Sequence, residues 1–286
     1  MYLIIGHEDD LCSRLIFDRL RACGQTVVMT SNPLAGDFHF SWRLESDRSL
    51  GRLHRADAPV IKDDSLQGVV VRCMGSPDFS EGFSSNEDHL YMCQEAHAAM
   101  LAWLHGLPCP VINRPAPEWW FQPRRSILEW RPLLRRSGLP VPRVCITNAP
   151  DWETPYEYVP LTVRDRYAIN SDDQRLELLK VAARLPVCLV DACTSTLVDA
   201  WVLARSEVFW DGPADVCTAL TGQREGLEHG LRTFALASDL DLLKVSISVE
   251  DSPTCTDVDV WPDLRLASSD CQRAVVDALL RCIGGF

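Results

Sequence analysis

Lysine is scarce in this chain. Of the 28 basic residues, only Lys62, Lys180 and Lys244 are lysines, and the other 25 are arginines. Chemistry that needs two lysines in one site therefore has almost no residues to draw on. Acidic residues also outnumber basic ones, because 40 Asp and Glu residues against 28 Lys and Arg residues give a formal net charge of -12. An acidic surface of this kind disfavours non-specific binding to nucleic acid or to an anionic membrane, so neither is expected as a partner.

Long apolar runs and metal-type cysteine spacings are also missing. No run approaches the roughly 18 apolar residues that cross a bilayer. The opening run Tyr2–Ile5 meets the charged residues 7–10 after a single glycine, which is not typical of a signal peptide. The 12 cysteines include no Cys-x-x-Cys pair, so a zinc site is not expected. Reduced thiols in a cytoplasmic protein are the expectation.

The sequence does contain alternating strand and helix patterns over residues 1–115. Short apolar runs predict strands at 2–5, 26–30, 68–73 and 110–113. Apolar residues at helical spacing predict helices at 10–22 and 85–104. A strand–helix–strand order of this kind predicts a parallel sheet, and therefore an α/β fold class.

A second domain is predicted at 116–286. It begins within a boundary segment at 114–123 that is rich in proline and tryptophan. Further strands are predicted at 143–147, 187–191, 199–204, 206–210, 242–249 and 255–260. Helices are predicted at 126–137, 172–185, 226–238 and 269–282. This pattern divides the second domain into a central lobe, 116–186, and a C-terminal lobe, 187–286, each of α+β type.

Three motifs at the joints between these elements carry a family resemblance. They read PVINRP at 110–115, LLRRSGLPVP at 133–142, and DVDVWPDL at 257–264. In this order they resemble the ATP-grasp superfamily, and within it the carboxylate–amine ligases that modify ribosomally made peptides. The resemblance covers nearly the whole chain. It implies a pre-ATP-grasp N-terminal domain, 1–115, and an ATP-grasp domain, 116–286, whose two lobes form a cleft.

The resemblance also implies a chemistry. Such ligases transfer the γ-phosphoryl group of ATP to a carboxylate, and a nucleophile then attacks the acyl phosphate. Two lysines hold the nucleotide phosphates, acidic or Asn side chains hold Mg²⁺, and an arginine steadies the acyl phosphate. All of these groups neutralise charge on a transferring phosphoryl group.

Neutral residues stand at the family's cationic positions in this chain. The first lysine falls at Ile127, the second at Val159 and the arginine at Ala200. Two of the family's acidic metal ligands are retained, as Asp257 and Asp259. The position of a third acidic ligand falls among Lys244, Val245 and Ser246. Arg124 and Arg125 lie near the first lysine position and are the candidate cofactor-binding residues.

The sequence therefore favours a degenerate ATP-grasp-like pseudoenzyme that binds a peptide or partner protein in a biosynthetic or peptide-modification pathway, without ATP turnover. No cofactor is expected for that function. The alternative is a divergent ligase that uses ATP and Mg²⁺ and works through an acyl phosphate. Two other possibilities remain. The chain is a subunit that only stabilises a partner, or it forms a homo-oligomer.

Arginines and aromatic residues interleave next to the boundary segment. Trp119, Trp120, Arg131 and Arg135 are the candidate partner-binding residues, because arginines beside aromatic rings suit recognition of an acidic peptide or a phosphate. The alternative is a solvated helix face beside a packed linker. Separately, His89, Cys93 and His97 share a helix face, which fits either a metal or thiolate site or ordinary packing.

Overall fold

A computed structural model describes residues 1–34, 38–46, 49–55, 60–72, 85–115, 125–147, 158–160, 187–191, 197–249 and 252–284. The described strands are β1 (Tyr2–Ile5), β2 (Val27–Thr30), β3 (Phe38–Leu44), β4 (Ser49–Arg55), β5 (Ile61–Lys62), β6 (Gly68–Val71), β7 (Val111–Ile112), β8 (Val144–Thr147), β9 (Tyr158–Pro160), β10 (Val187–Asp191), β11 (Leu197–Leu203), β12 (Glu207–Asp211), β13 (Leu242–Val249) and β14 (Pro253–Asp259). The described α-helices are α1 (Leu11–Ala22), α2 (Asn86–Gly106), α3 (Ile127–Arg136), α4 (Ala214–Ala219), α5 (Arg224–Ser238) and α6 (Ser269–Gly284).

The N-terminal sheet is parallel, as the strand–helix–strand order predicts. Its strand order is β2-β1-β6-β7, and each neighbouring pair runs in the same direction. Both helices that follow its strands begin at a capping side chain. Asp10 accepts a hydrogen bond from the backbone N–H of Ser13 at 3.0 Å, and Ser85 accepts one from the N–H of Asp88 at 3.1 Å. These caps satisfy N–H groups that have no partner within the helix.

Both faces of this sheet are covered. On one face Leu3, Ile5 and Val69 pack against α2 and against a small antiparallel sheet, β3-β4-β5. On the other face Ile4 and Val70 share a core with α1 and α6. The last helix of the chain is therefore part of the core of the first sheet.

The C-terminal sheet is antiparallel, with strand order β12-β11-β13-β14. Helices α3 and α5 cover one face, where the rings of Trp130 and Phe234 meet edge to face at 5.4 Å. Helix α6 covers part of the other face, together with Trp201. A third sheet, β8-β10-β9, is antiparallel as well.

Asn113 joins the N-terminal sheet to the C-terminal sheet. It follows β7 in the left-handed region, at φ 49°, which asparagine tolerates better than most residues. Its Oδ1 accepts from the N–H groups of Asp241 and Leu242 at 2.9 and 2.8 Å. Its Nδ2 donates to the carbonyls of Leu242 and Val260 at 2.8 and 3.1 Å. The asparagine of the PVINRP motif is thus a buried connection between the two sheets.

The α/β architecture is confirmed, and most predicted elements lie within a few residues of their observed bounds. The predicted helix 172–185 lies outside the described residues. Elements β3, β4, β5 and α4 were not predicted. None of the helices in the described ranges has the length and apolar character needed to cross a bilayer.

Candidate functional site

Five polar side chains share one face of the C-terminal sheet, and we call them the acid face: Asp199, Lys244, Ser246, Asp257 and Asp259. Strand register brings them together, because Ser246 pairs with both Asp199 and Asp257, and Lys244 pairs with Asp259. Their neighbours along each strand point the opposite way into the core beneath α3 and α5. Alternation along the strands therefore separates an apolar side from a charged one.

A partly buried ion pair lies at the centre of the acid face. The Nζ of Lys244 lies 3.0 Å from Oδ2 of Asp199, and only 7% of Lys244 is exposed. The hydroxyl of Ser246 donates to the other oxygen of Asp199 at 2.6 Å. Both carboxylate oxygens of Asp199 thus have a donor from β13, so the group is held in one position.

A cavity of about 460 Å³ opens beside this ion pair. Its lining residues are Leu197, Asp199, Asp211, Gly212, Lys244, Ser246, Leu266 and Ser268. Asp211 pairs with Asp199 across β11 and β12, and its carboxylate accepts from the N–H of Ser268 at 3.0 Å. Directly opposed carboxylates repel each other, so a cation next to them stabilises the sheet. Lys244 supplies that cation.

The negative charge of these carboxylates also affects the thiol of Cys271. Burial raises the pKa of Cys271 to about 12, and the carboxylates of Asp211 and Asp199 add to the rise. A thiol with such a pKa stays protonated at neutral pH and is a poor nucleophile. Cys271 is therefore a packing residue at the edge of the acid face.

Arg72 is a second buried cation near the same strands. It follows β6, forms an ion pair with Asp10 at 3.0 Å, and donates from Nη2 to the carbonyl of Pro262 at 2.8 Å. Burial alone would lower the pKa of Arg72, but neighbouring groups that include Asp10 and Asp259 raise it above its ordinary value. Asp259 thus has Lys244 opposite it on β13 and also interacts with the charge of Arg72.

The predicted metal pair, Asp257 and Asp259, does share a face, but its surroundings do not fit a magnesium ion. Mg²⁺ takes oxygen ligands, and here the residue paired with Asp259 on the neighbouring strand is Lys244, whose ammonium lies 3.0 Å from Asp199 on the same face. A divalent ion about 4 Å from an ammonium is repelled by about 8 kcal/mol at an effective dielectric constant near 20. Within the described ranges, no group of three or more His, Cys, Asp or Glu side chains is arranged to hold a metal.

The structure places the three residues that the resemblance puts at the family's cationic positions; the equivalence itself stays a prediction. Ile127 is buried in the core beneath α3 and α5. Val159 lies on β9, paired with Val190. Ala200 is buried in the same core as Ile127, and the next residue on the opposite face, Trp201, packs against α6. Of the described residues that line the cavity, Lys244 is the one cation, and it already has Asp199 as its partner.

The predicted cofactor-binding and partner-binding residues are only partly described. The guanidinium carbon of Arg125 lies 5.5 Å from the centre of the Trp130 ring. Arg131 donates to the carbonyl of Pro142 at 3.2 Å and so holds the segment after α3, while Arg135 is exposed on that helix. The remaining predicted residues, Arg124, Trp119 and Trp120, lie outside the described residues. Their roles stay predictions.

Two other sequence patterns have structural explanations. Arg114, which belongs to the basic stretch, donates to the carbonyls of Leu104 and His105 and thereby caps the C-terminal end of α2. On the same helix, Nε2 of His89 lies 3.7 Å from the sulfur of Cys93. That contact joins neighbours one turn apart on the helix.

Sequence reasoning missed Asp199, Asp211 and Arg72 as members of this region. Each is a charged residue at the end of, or inside, an apolar strand sequence. That pattern was the available indication, because a charge in a strand interior needs a partner.

Comparisons with known proteins identify the fold. No protein-family description matches the chain, and no curated protein does. Solved structures do match over nearly its full length. The macrocyclase MdnC from Microcystis aeruginosa MRC, bound with precursor peptide MdnA, has a TM-score of 0.70 and 12% sequence identity and covers 98% of both chains.

Two further structures agree with this result. The RiPP-associated ATP-grasp ligase from Chryseobacterium gregarium, in complex with ADP and a leader and core peptide, has a TM-score of 0.70 at 12% identity and covers 96% of this chain and 95% of its own. The ATP-grasp ligase PsnB, complexed with minimal precursor, Mg and ADP, has a TM-score of 0.67 at 17% identity and covers 99% and 98%. The chain therefore has the ATP-grasp fold, as its motifs predict. Within that fold, its similarity extends to the architecture of peptide-modifying ligases.

Proposed function

We propose that this chain is a degenerate ATP-grasp protein that binds a peptide or partner protein in a peptide-modification pathway and does not turn over ATP. The observation that carries the proposal is the partly buried ion pair of Lys244 and Asp199 at the centre of the acid face. In this arrangement the lysine of the cavity is bonded to a carboxylate of the same chain. It is not available to a phosphate.

The charge balance supports the absence of turnover. Phosphoryl transfer depends on cations that neutralise the phosphates and the developing charge. Among the described residues, Asp199 and Asp211 line the cavity together with one lysine, Lys244, which forms an ion pair with Asp199. A triphosphate at this position would meet uncompensated negative charge from Asp211.

The peptide-binding part of the proposal is supported by the comparisons. MdnC and PsnB were solved with precursor peptides bound, and their architecture extends over nearly the whole of this chain. At the rim of the cavity Leu197 and Leu266 are 48% and 73% exposed. Exposed apolar side chains beside a polar cavity suit contact with a peptide. Trp119, Trp120, Arg131 and Arg135 are proposed to extend this contact.

Thermal unfolding with and without MgATP tests the proposal. A ligand at 100 times its Kd adds ~2.7 kcal/mol to the native state. For a chain of this size that gain raises the Tm by about 5 °C or more. We expect no rise with MgATP or MgADP. A rise of that size would overturn the proposal in favour of the divergent ligase, in which Asp257 and Asp259 hold Mg²⁺ and Arg124 and Arg125 replace the lysines.

A second measurement tests the peptide. Fluorescence anisotropy with labelled peptides encoded beside the gene is expected to show saturable binding that does not depend on MgATP. Arg135 is exposed on α3, and Arg135→Ala is expected to weaken peptide binding. Arg273 is exposed on α6, and Arg273→Ala serves as the matched control. Absence of binding by every such peptide would contradict the peptide-binding function.

A further inference from the structure

We infer that the outer face of the small antiparallel sheet β3-β4-β5 is a docking surface for an acidic segment of the peptide partner. We call this surface the basic face, and it consists of His39, Arg52, His54 and Lys62. The inference deepens the proposed function and rests on it, because the proposed partner is a peptide. It adds a contact site on the side of the N-terminal sheet that is opposite α6.

Strand register brings the four side chains of the basic face together. His39 of β3 pairs directly with His54 of β4, and their rings stack with centroids 6.3 Å apart. Two residues away on β4, Arg52 pairs directly with Lys62 of β5. Residues two apart on a strand share a face, so both pairs lie on the same side of the sheet. All four residues are exposed.

The pairing of Arg52 with Lys62 is unfavourable for the chain alone, because like charges directly opposite each other destabilise a sheet. Acidic residues outnumber basic ones in this chain by 40 to 28, so an acidic cross-strand partner would be ordinary. Within the described ranges, neither Arg52 nor Lys62 has an ion-pair partner, whereas Arg43 on the same sheet lies 3.5 Å from Glu45. The basic face therefore carries positive charge that an anionic ligand would neutralise.

The acid that directly follows Lys62 is held on the core side of the sheet. One carboxylate oxygen of Asp63 accepts from the N–H of Gly51 at 2.6 Å, and the other accepts from Nε1 of Trp103 at 2.7 Å. The ring of Phe40 meets that of Trp103 edge to face at 5.3 Å, which anchors β3 to α2. Because the sheet is fixed through its core side, the charges of the basic face are held in place before a ligand binds.

Charge complementarity selects a short acidic peptide segment as the occupant. The formal net charge of -12 repels a long polyanion such as nucleic acid, whereas a few carboxylates can contact the basic face alone. Alternate residues of an extended peptide lie about 7 Å apart, as do Arg52 and His54 on β4. Asp or Glu side chains at every second position can therefore reach both cross-strand pairs.

Fluorescence anisotropy with a labelled peptide in which Glu and Ser alternate tests this inference. The wild-type chain is expected to bind this peptide saturably at low salt and more weakly as salt rises, because salt screens exposed charges. A peptide with Gln in place of Glu is the neutral control.

Two double variants locate the binding. Arg52→Gln/Lys62→Gln is expected to raise the Kd by about fivefold or more, since it removes two exposed cations from the contact. Its urea midpoint is expected to equal or exceed that of wild type, because the like-charge pair is gone. Arg14→Gln/Arg19→Gln removes the same charge from exposed positions on α1 and is the matched control, with an expected rise in Kd of less than about twofold. If the first double variant does not fold, Lys62→Gln alone provides the test.

The outcomes separate this inference from the proposed function. Equal losses of affinity in the two double variants would overturn the inference, because net charge alone would then explain binding. So would equal binding of the Glu and Gln peptides, or a single-stranded oligonucleotide that binds the same residues more tightly than the Glu peptide. Absence of Glu-peptide binding, while the encoded peptides do bind, would overturn the inference and leave the proposed function standing. A rise of Tm with MgATP, together with the expected Glu-peptide results, would do the reverse.

Discussion

The connection made by Asn113 predicts a large loss of stability on substitution. Asn113→Ala removes four side-chain hydrogen bonds, to Asp241, Leu242 and Val260. Each is worth about 1 kcal/mol net, and buried groups left without a partner cost more. Alanine at φ 49° adds about 1 kcal/mol. We therefore expect the free energy of unfolding to fall by about 4 to 5 kcal/mol.

Urea unfolding followed by tryptophan fluorescence measures this loss. Asn113→Gly accepts the left-handed backbone and therefore isolates the hydrogen bonds, so it is expected to lose about 1 kcal/mol less than the alanine variant. Asn32→Ala is the matched control. Its Oδ1 accepts a bond within a loop, from the N–H of Leu34, and a loss of about 1 kcal/mol is expected for that bond. A loss at Asn113 no larger than that at Asn32 would refute the reasoning.

Two further predictions concern acid stability and helix packing. Burial would raise the pKa of Asp10, but the hydrogen bonds and charge of Arg72 hold it below the usual value. The stability from this pair is therefore fully present above pH 3.8 and is lost as pH falls through the lower native pKa. Asp10→Asn should remove that part of the acid dependence in a pH series of urea midpoints. On α5, Gly230→Ala should destabilise by about 1 to 3 kcal/mol, because a Cβ there would lie 2.8 Å from Leu139. Gly226→Ala on the same helix meets open space and should stabilise by about 0.5 kcal/mol, so equal effects of the two alanines would contradict this packing.

Most of the fold could be predicted because local patterns and tertiary packing agree. Helix α1 has its cap at Asp10 and its apolar side chains at helical spacing, and β13 is apolar on the core side at alternate positions. The hairpin β3–β4 was missed although its first strand carries a signal. Strand β3 reads FHFSWRL, in which apolar and polar residues alternate and every second side chain is half-buried up to Trp42. Such alternation is typical of a half-buried strand, so this element could have been predicted from the sequence.

The candidate site could be predicted only in part. Asp257 and Asp259 of the motif at 257–264 lie on one face of β14, because alternation within a strand is a local property that the sequence itself shows. The pairing of Lys244 with Asp199 depends on the register between two strands that are 45 residues apart in the sequence. Neither residue shows that register in its local sequence. The same holds for Asn113, whose partners lie more than 120 residues away.

Helix α6 gives the chain an order of assembly. Because Ile4 and Val70 share a core with α1 and with this helix, part of one apolar face of the N-terminal sheet stays uncovered until residues 269–284 have been synthesised. A nascent chain must therefore shield that part of the sheet until α6 is available. The same helix packs on the cavity-bearing sheet, so its docking completes the cores of both sheets.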